Sequence, residues 1–109
     1  MKIFVYAYYS KIVSSYQSPI FSQFDKERFV PQLTRMVMTT KSDETLLGLQ
    51  DLDLYWIGMF DDQTGLFDSL IHPEWLISCS SLLERRKQAL IDLKAVQGDV
   101  PVEKVEKEA

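Results

Sequence analysis

The stretch Leu54-Tyr-Trp-Ile-Gly-Met-Phe-Asp-Asp-Gln-Thr-Gly-Leu-Phe67 decides the fold, because two apolar runs flank a short polar loop that ends in glycine. This pattern predicts a β-hairpin in which Gly65 adopts a positive φ and closes the loop. Asp61, Asp62 and Thr64 place side-chain oxygens next to the free backbone N–H groups of that loop. We therefore expect strands over about residues 52–60 and 66–70, with His72-Pro73 in the loop that follows.

Two further strands precede the hairpin. The aromatic-rich run over residues 2–9 predicts a first strand, and residues 16–21 predict a shorter second strand after the Ser-rich turn at Ser14-Ser15. Pro19 has no N–H to donate, so we expect this second strand to lie at an edge of the sheet.

Two helices complete the predicted elements. Asp25 is placed to cap a first helix over about Lys26–Met38, which Pro31 should kink. A polar connector over residues 39–50 should hold a short helical turn at 46–49. A second long helix is predicted over Leu82–Val96, with Ser81 and Glu84 as its capping box and Gly98 just past its end.

The order of these elements predicts an α+β fold, with a four-stranded antiparallel sheet, one helix on a face and a second, C-terminal helix. Residues 1–78 should form the α+β core domain, residues 79–98 the C-terminal helix, and residues 99–109 a disordered tail. The strands are apolar on both sides, so both faces of the sheet need a cover. The first helix can cover one face. The second helix, a partner subunit or stacked nucleic-acid bases could cover the other.

Charge is distributed unevenly along the 109 residues, whose net charge is −4. Residues 1–50 carry six basic and four acidic side chains, residues 51–79 carry no basic and six acidic ones, and the remainder is balanced. Phosphate binding needs clustered Lys and Arg. A nucleic-acid surface is therefore expected only in the first half or around Arg85-Arg86-Lys87, and the acidic hairpin should repel DNA.

The hairpin also resembles a known family, the small non-structural proteins of gokushovirus-type microviruses, which are phages with single-stranded DNA. The resemblance extends over roughly residues 2 to 76, including the opening strand, the Pro19-Ile20-Phe21 step and Asp25 before the first helix. The approach Gln50-Asp-Leu-Asp-Leu-Tyr55 departs from the Pro-x-x-Tyr expected in the family, and the C-terminal third extends past its usual end. The residues that match in the hairpin are Tyr55, Ile57, Gly58, Phe60, Asp61, Asp62, Thr64, Gly65 and Phe67.

The resemblance implies a non-structural phage accessory protein that acts in viral single-stranded DNA replication or genome packaging, in the cytoplasm of the host bacterium. The leading hypothesis is that it binds single-stranded DNA or the viral replication complex. The alternative is an oligomeric protein-interaction module that modulates a host or viral protein without binding nucleic acid. The basic first half permits the first hypothesis, and the acidic hairpin favours the second.

Each hypothesis selects its own candidate residues. Basic and aromatic side chains of the first half could contact phosphates and stack bases, together with Trp56; they are Lys2, Tyr6, Tyr8, Lys11, Arg28 and Arg35. The apolar stripe of the second helix could instead pair with another copy and form a homodimer; its members are Leu82, Leu83, Ala89, Leu90, Leu93 and Val96.

Catalytic chemistry has little support in the sequence. We expect no enzyme, cofactor or metal site, because one histidine and one cysteine make neither a metal site nor a nucleophilic dyad, and Asp61-Asp62 lacks the ligand density of a calcium loop. The single Cys79 excludes an internal disulfide and fits a reducing cytoplasm. No apolar run reaches about eighteen residues, so we expect no membrane span.

Overall fold

The structure, a computed structural model, describes the backbone of residues 1–98 and the side chains of residues 1–95. The disordered tail predicted for residues 99–109 lies outside these described residues.

The predicted α+β fold is confirmed. All strand pairs are antiparallel, and the sheet has five strands in four positions, because β2 and β3 both pair with β1 along the same edge. The order across the sheet is β2-β1-β4-β5. The strands are β1 (Lys2–Ser10), β2 (Ser15–Tyr16), β3 (Ile20–Ser22), β4 (Leu52–Asp61) and β5 (Phe67–Ser78).

The predicted second strand is divided in two. Pro19 lies in the gap between β2 and β3, where its missing N–H leaves no ladder position unfilled. Ser14 adopts a φ of 54° in the turn before β2. The edge position predicted for this segment is correct, since both short strands pair only with β1.

The hairpin closes as the sequence predicts. Gly65 has a φ of 75°, and its N–H donates to the Asp61 carbonyl at 2.8 Å. The Asp61 carboxylate accepts the Gln63 N–H at 2.9 Å, and Thr64 Oγ1 accepts the Leu66 N–H at 3.3 Å. Asp62 differs from the prediction, because its carboxylate accepts from the Met1 amino group rather than from the loop.

Strand β5 is much longer than predicted. His72-Pro73 lies inside it rather than in a loop, because residues 70–73 form a bulge opposite Ile57. A bulge leaves its extra residues without ladder partners, and this accommodates a proline in a strand. The strand resumes with Glu74 opposite Trp56.

The described part of the chain has three helices: α1 (Lys26–Thr39) and α2 (Asp43–Gly48) lie between β3 and β4, and α3 (Cys79–Gly98) follows β5. Asp25 caps α1 as predicted, accepting the Arg28 N–H at 3.1 Å, and α1 is assigned as one helix that includes Pro31.

The start that the helical pattern predicts for α3, at Leu82, is wrong. The helix begins at Cys79, so Ser81 lies in its first turn and donates to the Ser78 carbonyl at 2.7 Å instead of forming a capping box. Gly98 is the last residue of the helix rather than the residue after it.

One core joins the sheet to α1 and α3. Tyr6 and Leu54 from the sheet are fully buried with Val37 of α1 and Cys79 and Leu82 of α3. The Tyr6 ring packs on the Phe29 ring of α1 with centroids 4.0 Å apart. Because α3 contributes two fully buried residues, its first turn belongs to the core that was predicted to end at residue 78.

Candidate binding surfaces

The sheet has one covered face and one open face. Tyr6, Leu54 and Trp56 lie on the covered face, packed against the helices. Side chains alternate along a strand and paired residues share a face, so the neighbours of these three residues point the other way. The open face consists of Ile3, Val5, Ala7 and Tyr9 of β1, Tyr16 of β2, Phe21 of β3, Asp53, Tyr55, Gly58 and Phe60 of β4, and Phe67, Ser69 and Trp75 of β5.

Three tyrosines meet at one end of the open face. The ring centroids of Tyr9 and Tyr16 lie 5.0 Å apart, and those of Tyr16 and Tyr55 lie 5.4 Å apart, both pairs edge to face. This geometry is favourable for aromatic pairs. Burial, followed by the neighbouring Tyr55 and Tyr9, raises the pKa of Tyr16 above its ordinary value. Trp75, the strand partner of Tyr55, continues the cluster onto β5.

Three phenylalanines lie towards the other end. The rings of Phe21 and Phe60 meet edge to face at 5.4 Å, and Phe67 is the strand partner of Phe60. Gly58 makes room for the Phe67 ring, because a Cβ built on Gly58 would lie 2.8 Å from Phe67 Cε1 and 2.6 Å from the Asp68 carbonyl oxygen.

These rings are partly exposed although they cover buried residues. Val5 and Ala7 beneath them are only 1% exposed and lie outside the core cluster formed with the helices. The rings themselves remain in contact with solvent: Tyr16 is 44%, Phe67 50%, Phe21 54% and Trp75 54% exposed.

The open face carries almost no charge. Asp53 is its only ionisable acid or base besides tyrosine among the strand residues named above, and Lys11 Nζ lies 3.6 Å from its carboxylate. This side of the sheet is therefore a large aromatic surface with one ion pair at its edge.

The candidate nucleic-acid residues do not come together in one place. Tyr6 is fully buried and donates its hydroxyl hydrogen to the Phe24 carbonyl at 2.7 Å, so it cannot stack a base. Tyr8 is half-buried against the same core, and burial raises its pKa to about 12. Trp56 lies on the covered face, with Lys26 Nζ 5.1 Å from its ring centroid.

The basic candidates are dispersed around the molecule. Lys2 begins β1 as the strand partner of Asp61, and Lys11 lies in the turn after β1. Arg28 and Arg35 lie on α1, on the covered side of the sheet. The fold therefore does not form a single phosphate-binding surface from Lys2, Lys11, Arg28 and Arg35.

The candidate oligomer interface divides into a buried and an exposed part. Leu82 is buried in the chain's own core, so it is not free for a partner, contrary to the prediction. Leu83 is partly buried against that core. Ala89, Leu90 and Leu93 are exposed. The Val96 side chain lies outside the described residues.

A groove of about 420 Å³ runs between α2 and α3. Four leucines line it, Leu46 and Leu47 of α2 and Leu83 and Leu90 of α3. Its other lining residues are polar or charged: Gln50, Asp51, Ser80, Glu84, Arg86 and Lys87. The residues of α3 from Lys87 to Ala95 are exposed, and Lys87 and Leu90 among them also line the groove.

Arg86 has a structural role that its sequence context does not reveal. The prediction for Arg85-Arg86-Lys87 placed all three on one charged surface, but Arg86 is half-buried. Its Nη1 donates to the carbonyls of Val37 at 2.9 Å and Met38 at 3.1 Å, in the last turn of α1. Arg86 thereby satisfies carbonyls that a helix end leaves unpaired.

The reactive side chains lie in separate environments. Cys79 is fully buried, and desolvation, followed by the Asp53 charge, raises the pKa of its thiol to about 11, which disfavours the nucleophilic thiolate. His72 is exposed in the β5 bulge. Within residues 1–98, no cluster of three or more His, Cys, Asp or Glu side chains is arranged to hold a metal ion.

The open-face residues were missed because both faces of the strands are apolar, so the sequence does not reveal which face the helices cover. The structure distinguishes the two faces at Glu74, whose carboxylate lies 2.7 Å from Lys26 Nζ at the start of α1. A charge pair between β5 and α1 assigns Glu74 to the covered face and its neighbour Trp75 to the open one.

No helix in the described part of the chain is both long enough and apolar enough to cross a membrane. Comparison of the chain with protein-family models, with curated proteins and with solved structures gives no match in any of the three.

Proposed function

We propose that this chain is a non-catalytic accessory protein of a single-stranded DNA phage, and that it binds a protein of the viral replication complex through its open face. Its place of action is the host cytoplasm, and the process it serves is viral DNA replication or genome packaging. The resemblance of the hairpin to the gokushovirus non-structural family supports the process. The open face supports the mode of action.

The observation that carries the proposal is the chemistry of the open face. Cores of protein–protein interfaces are rich in Tyr, Trp and Phe and poor in charged residues, and large exposed apolar patches on soluble proteins mark interaction sites. The open face has both properties, with seven aromatic rings and one ion pair.

The same chemistry is poorly suited to a nucleic-acid backbone. Binding to phosphates depends on Lys and Arg side chains near the strand. Lys11 lies beside Asp53, and Arg28 of α1 lies beside the N-cap residue Asp25, with Nε and Oδ1 3.5 Å apart. Among the side chains of residues 1–95, no row of Lys and Arg lies beside the aromatic rings.

Single-stranded DNA remains the second candidate because of one specific observation. Tyr16, Phe21, Phe67 and Trp75 are all about half exposed on one side of an antiparallel sheet. Aromatic side chains on such a surface can stack bases for roughly 1–3 kcal/mol each. Binding of this kind would depend on the rings and only weakly on salt.

The proposal is tested by calorimetric titration of the chain with the purified replication protein encoded in the same phage genome. Trp75→Ser and Phe21→Ser should each weaken binding by roughly tenfold or more, as expected for aromatic residues that anchor an interface. Met36→Ser on α1 is the matched control, because it removes an exposed apolar side chain from the covered side, and it should leave the affinity unchanged. Equal effects of all three substitutions would contradict the proposal.

A second titration, against labelled single-stranded DNA at two salt concentrations, distinguishes the candidates. We expect no binding at low salt. Binding that weakens steeply with salt, and that is lost when Lys11, Arg28 and Arg35 are replaced by Gln, would overturn the proposal in favour of phosphate contact. Salt-insensitive binding that Trp75→Ser abolishes would instead establish base stacking.

A further inference from the structure

We propose that the open face recognises an arginine of its partner protein, whose guanidinium stacks on the tyrosine rings and pairs with the Asp53 carboxylate. The inference rests on the proposed function in one respect, since it names the chemistry of the protein that binds the open face. The tyrosine cluster consists of Tyr9, Tyr16 and Tyr55, and it lies at the same end of the open face as Asp53.

The Asp53 carboxylate lacks a hydrogen-bond donor. Its Oδ1 is buried and has no hydrogen-bond partner among the described residues. The Lys11 amine lies 3.6 Å from this atom, which supplies a neighbouring positive charge at a distance too long for a hydrogen bond. A buried polar atom without a hydrogen bond is costly. A ligand that brings donors to this oxygen therefore gains binding energy.

The tyrosine cluster places aromatic rings next to this carboxylate. Tyr9 is the strand partner of Asp53, and Tyr55 follows Asp53 by two residues on the same side of β4. The ring centroids of Tyr9 and Tyr55 are 6.2 Å apart, and Trp75 is the strand partner of Tyr55. An aromatic ring attracts a cation that lies within about 6 Å of its centroid. A cation that reaches Asp53 is therefore also attracted by these rings.

The covered face of the same sheet holds a complete version of this arrangement. Lys26 Nζ lies 2.7 Å from the Glu74 carboxylate and 5.1 Å from the centroid of the Trp56 ring. A carboxylate, an aromatic ring and a cation are combined there in one contact. On the open face, Asp53 and the rings supply the first two parts, and the chain's own cation, Lys11, stays outside hydrogen-bonding distance.

The chemistry of the site favours a guanidinium over other groups. A guanidinium is planar, presents parallel N–H donors to a carboxylate and stacks on aromatic rings, whereas an ammonium is a compact, strongly hydrated charge. A nucleic-acid phosphate is repelled by the same carboxylate. The Lys11 side chain is 51% exposed and has a flexible stem, so its amine can move aside when a guanidinium enters.

A short peptide tests the site without the replication protein. Acetyl-Gly-Arg-Gly-amide is titrated into the isotope-labelled chain, and the amide signals of Asp53, Tyr55 and Trp75 are followed by NMR. We expect saturable shifts in the millimolar range, as for a single charged contact. The same peptide with citrulline, which has the shape of arginine without its charge, should give no saturable shift. The lysine peptide should bind roughly threefold more weakly or worse.

Four variants locate the binding, with folding checked by circular dichroism. Asp53→Asn should weaken binding of the arginine peptide by roughly tenfold, because the charge is lost while the shape is kept. Tyr55→Leu should weaken it by roughly threefold, because an aromatic ring is replaced by another apolar side chain. Lys11→Met removes the competing amine and should tighten binding. Asp68→Asn is the matched control, since it removes the same charge from an exposed residue on the covered side of β5 and should have no effect.

Each part of the inference has its own contrary result. Absence of saturable shifts at tens of millimolar, equal binding of the citrulline peptide, or an unaffected Asp53→Asn variant would overturn the site. Equal binding of the lysine peptide would overturn the preference for arginine, and an unchanged affinity of Lys11→Met would overturn the displacement of its amine. A replication protein that fails to bind while the arginine peptide binds would overturn the proposed function alone. The reverse pair of results would overturn only the arginine site.

Discussion

Single residues determine which side chains can pack on the open face, and Gly58 is the clearest example. The Phe67 ring and the Asp68 carbonyl occupy the space that any side chain at position 58 would need. A glycine in the middle of β4 would ordinarily weaken the strand, since it contributes no side chain to packing. Here Gly58 has no side chain, and this allows the Phe67 ring of β5 to lie across the sheet.

Gly65 is the residue whose conformation was most directly predictable, and its φ of 75° leads to the first prediction. Gly65→Ala should destabilise the protein by about 1–2 kcal/mol, because an L-residue is strained in the left-handed region. Gly48→Ala is the matched control, since Gly48 ends a helix without a positive φ and has nothing within 4 Å of a new Cβ. It should leave the urea midpoint unchanged or raise it. An unchanged midpoint for Gly65→Ala would show that the loop does not hold this conformation.

Other single residues could not be predicted from the sequence. Asp25 as a helix cap and Gly65 as a loop closer follow from local chemistry within a few residues, and both are confirmed. Arg86 bonds to carbonyls 48 and 49 residues earlier in the chain. No local pattern distinguishes it from Arg85, because the difference arises only when α3 packs against α1.

At the scale of elements, this contact between α3 and α1 leads to the second prediction. Arg86→Ala should destabilise the protein by about 2 kcal/mol, because two charge-assisted hydrogen bonds to the last turn of α1 are lost and their carbonyls lose a partner. Arg85→Ala removes the same charge from an exposed neighbour and should change the unfolding free energy by less than about 0.5 kcal/mol. Similar losses for the two variants, measured by urea denaturation, would contradict the capping role.

The bounds of β5 and α3 were mispredicted for one physical reason, which is that packing against distant parts of the chain sets them. The β5 strand was expected to end before His72-Pro73, because proline usually terminates a strand. Pairing with β4 nevertheless resumes at Glu74, and the ladder tolerates the four-residue bulge because apolar partners remain available on both sides. The start of α3 was displaced for a related reason, since burial of Cys79 in the core draws the first turn of the helix inward.

At the scale of the whole molecule, the buried hydroxyl and thiol groups give the third prediction. Burial raises the pKa of Tyr6. It also raises the pKa of Tyr8 to about 12 and the pKa of the Cys79 thiol to about 11. In the unfolded chain these groups lose their protons at lower pH, so the unfolded state binds fewer protons and stability falls as the pH rises above about 9. The stabilising contribution is fully present below that pH.

This dependence can be measured by urea denaturation between pH 8 and pH 12. Tyr8→Phe removes one of the groups, so the decline in unfolding free energy above pH 10 should become shallower than in the wild type. An identical slope for the two proteins would show that Tyr8 is not buried in its neutral form.

The fold class and the two-faced sheet were within reach of the sequence, but the assignment of the faces was not. The order of the elements along the chain, the hairpin and both long helices follow from local periodicity and turn chemistry. Which face a helix covers depends on contacts such as Lys26 with Glu74, which join residues 48 positions apart. Reversing that assignment moved the candidate surface from Tyr6, Tyr8 and Trp56 to the rings of the open face.

The most direct test of this surface is the fluorescence of Trp75 in a Trp56→Phe variant, where it is the only tryptophan. In the free protein we expect the emission of an exposed indole that acrylamide quenches readily. Addition of the phage replication protein should shift the emission to shorter wavelength and protect it from quenching. A Trp75 that is already shielded in the free protein, or that stays fully quenchable in the complex, would contradict the claim that the open face is the binding surface.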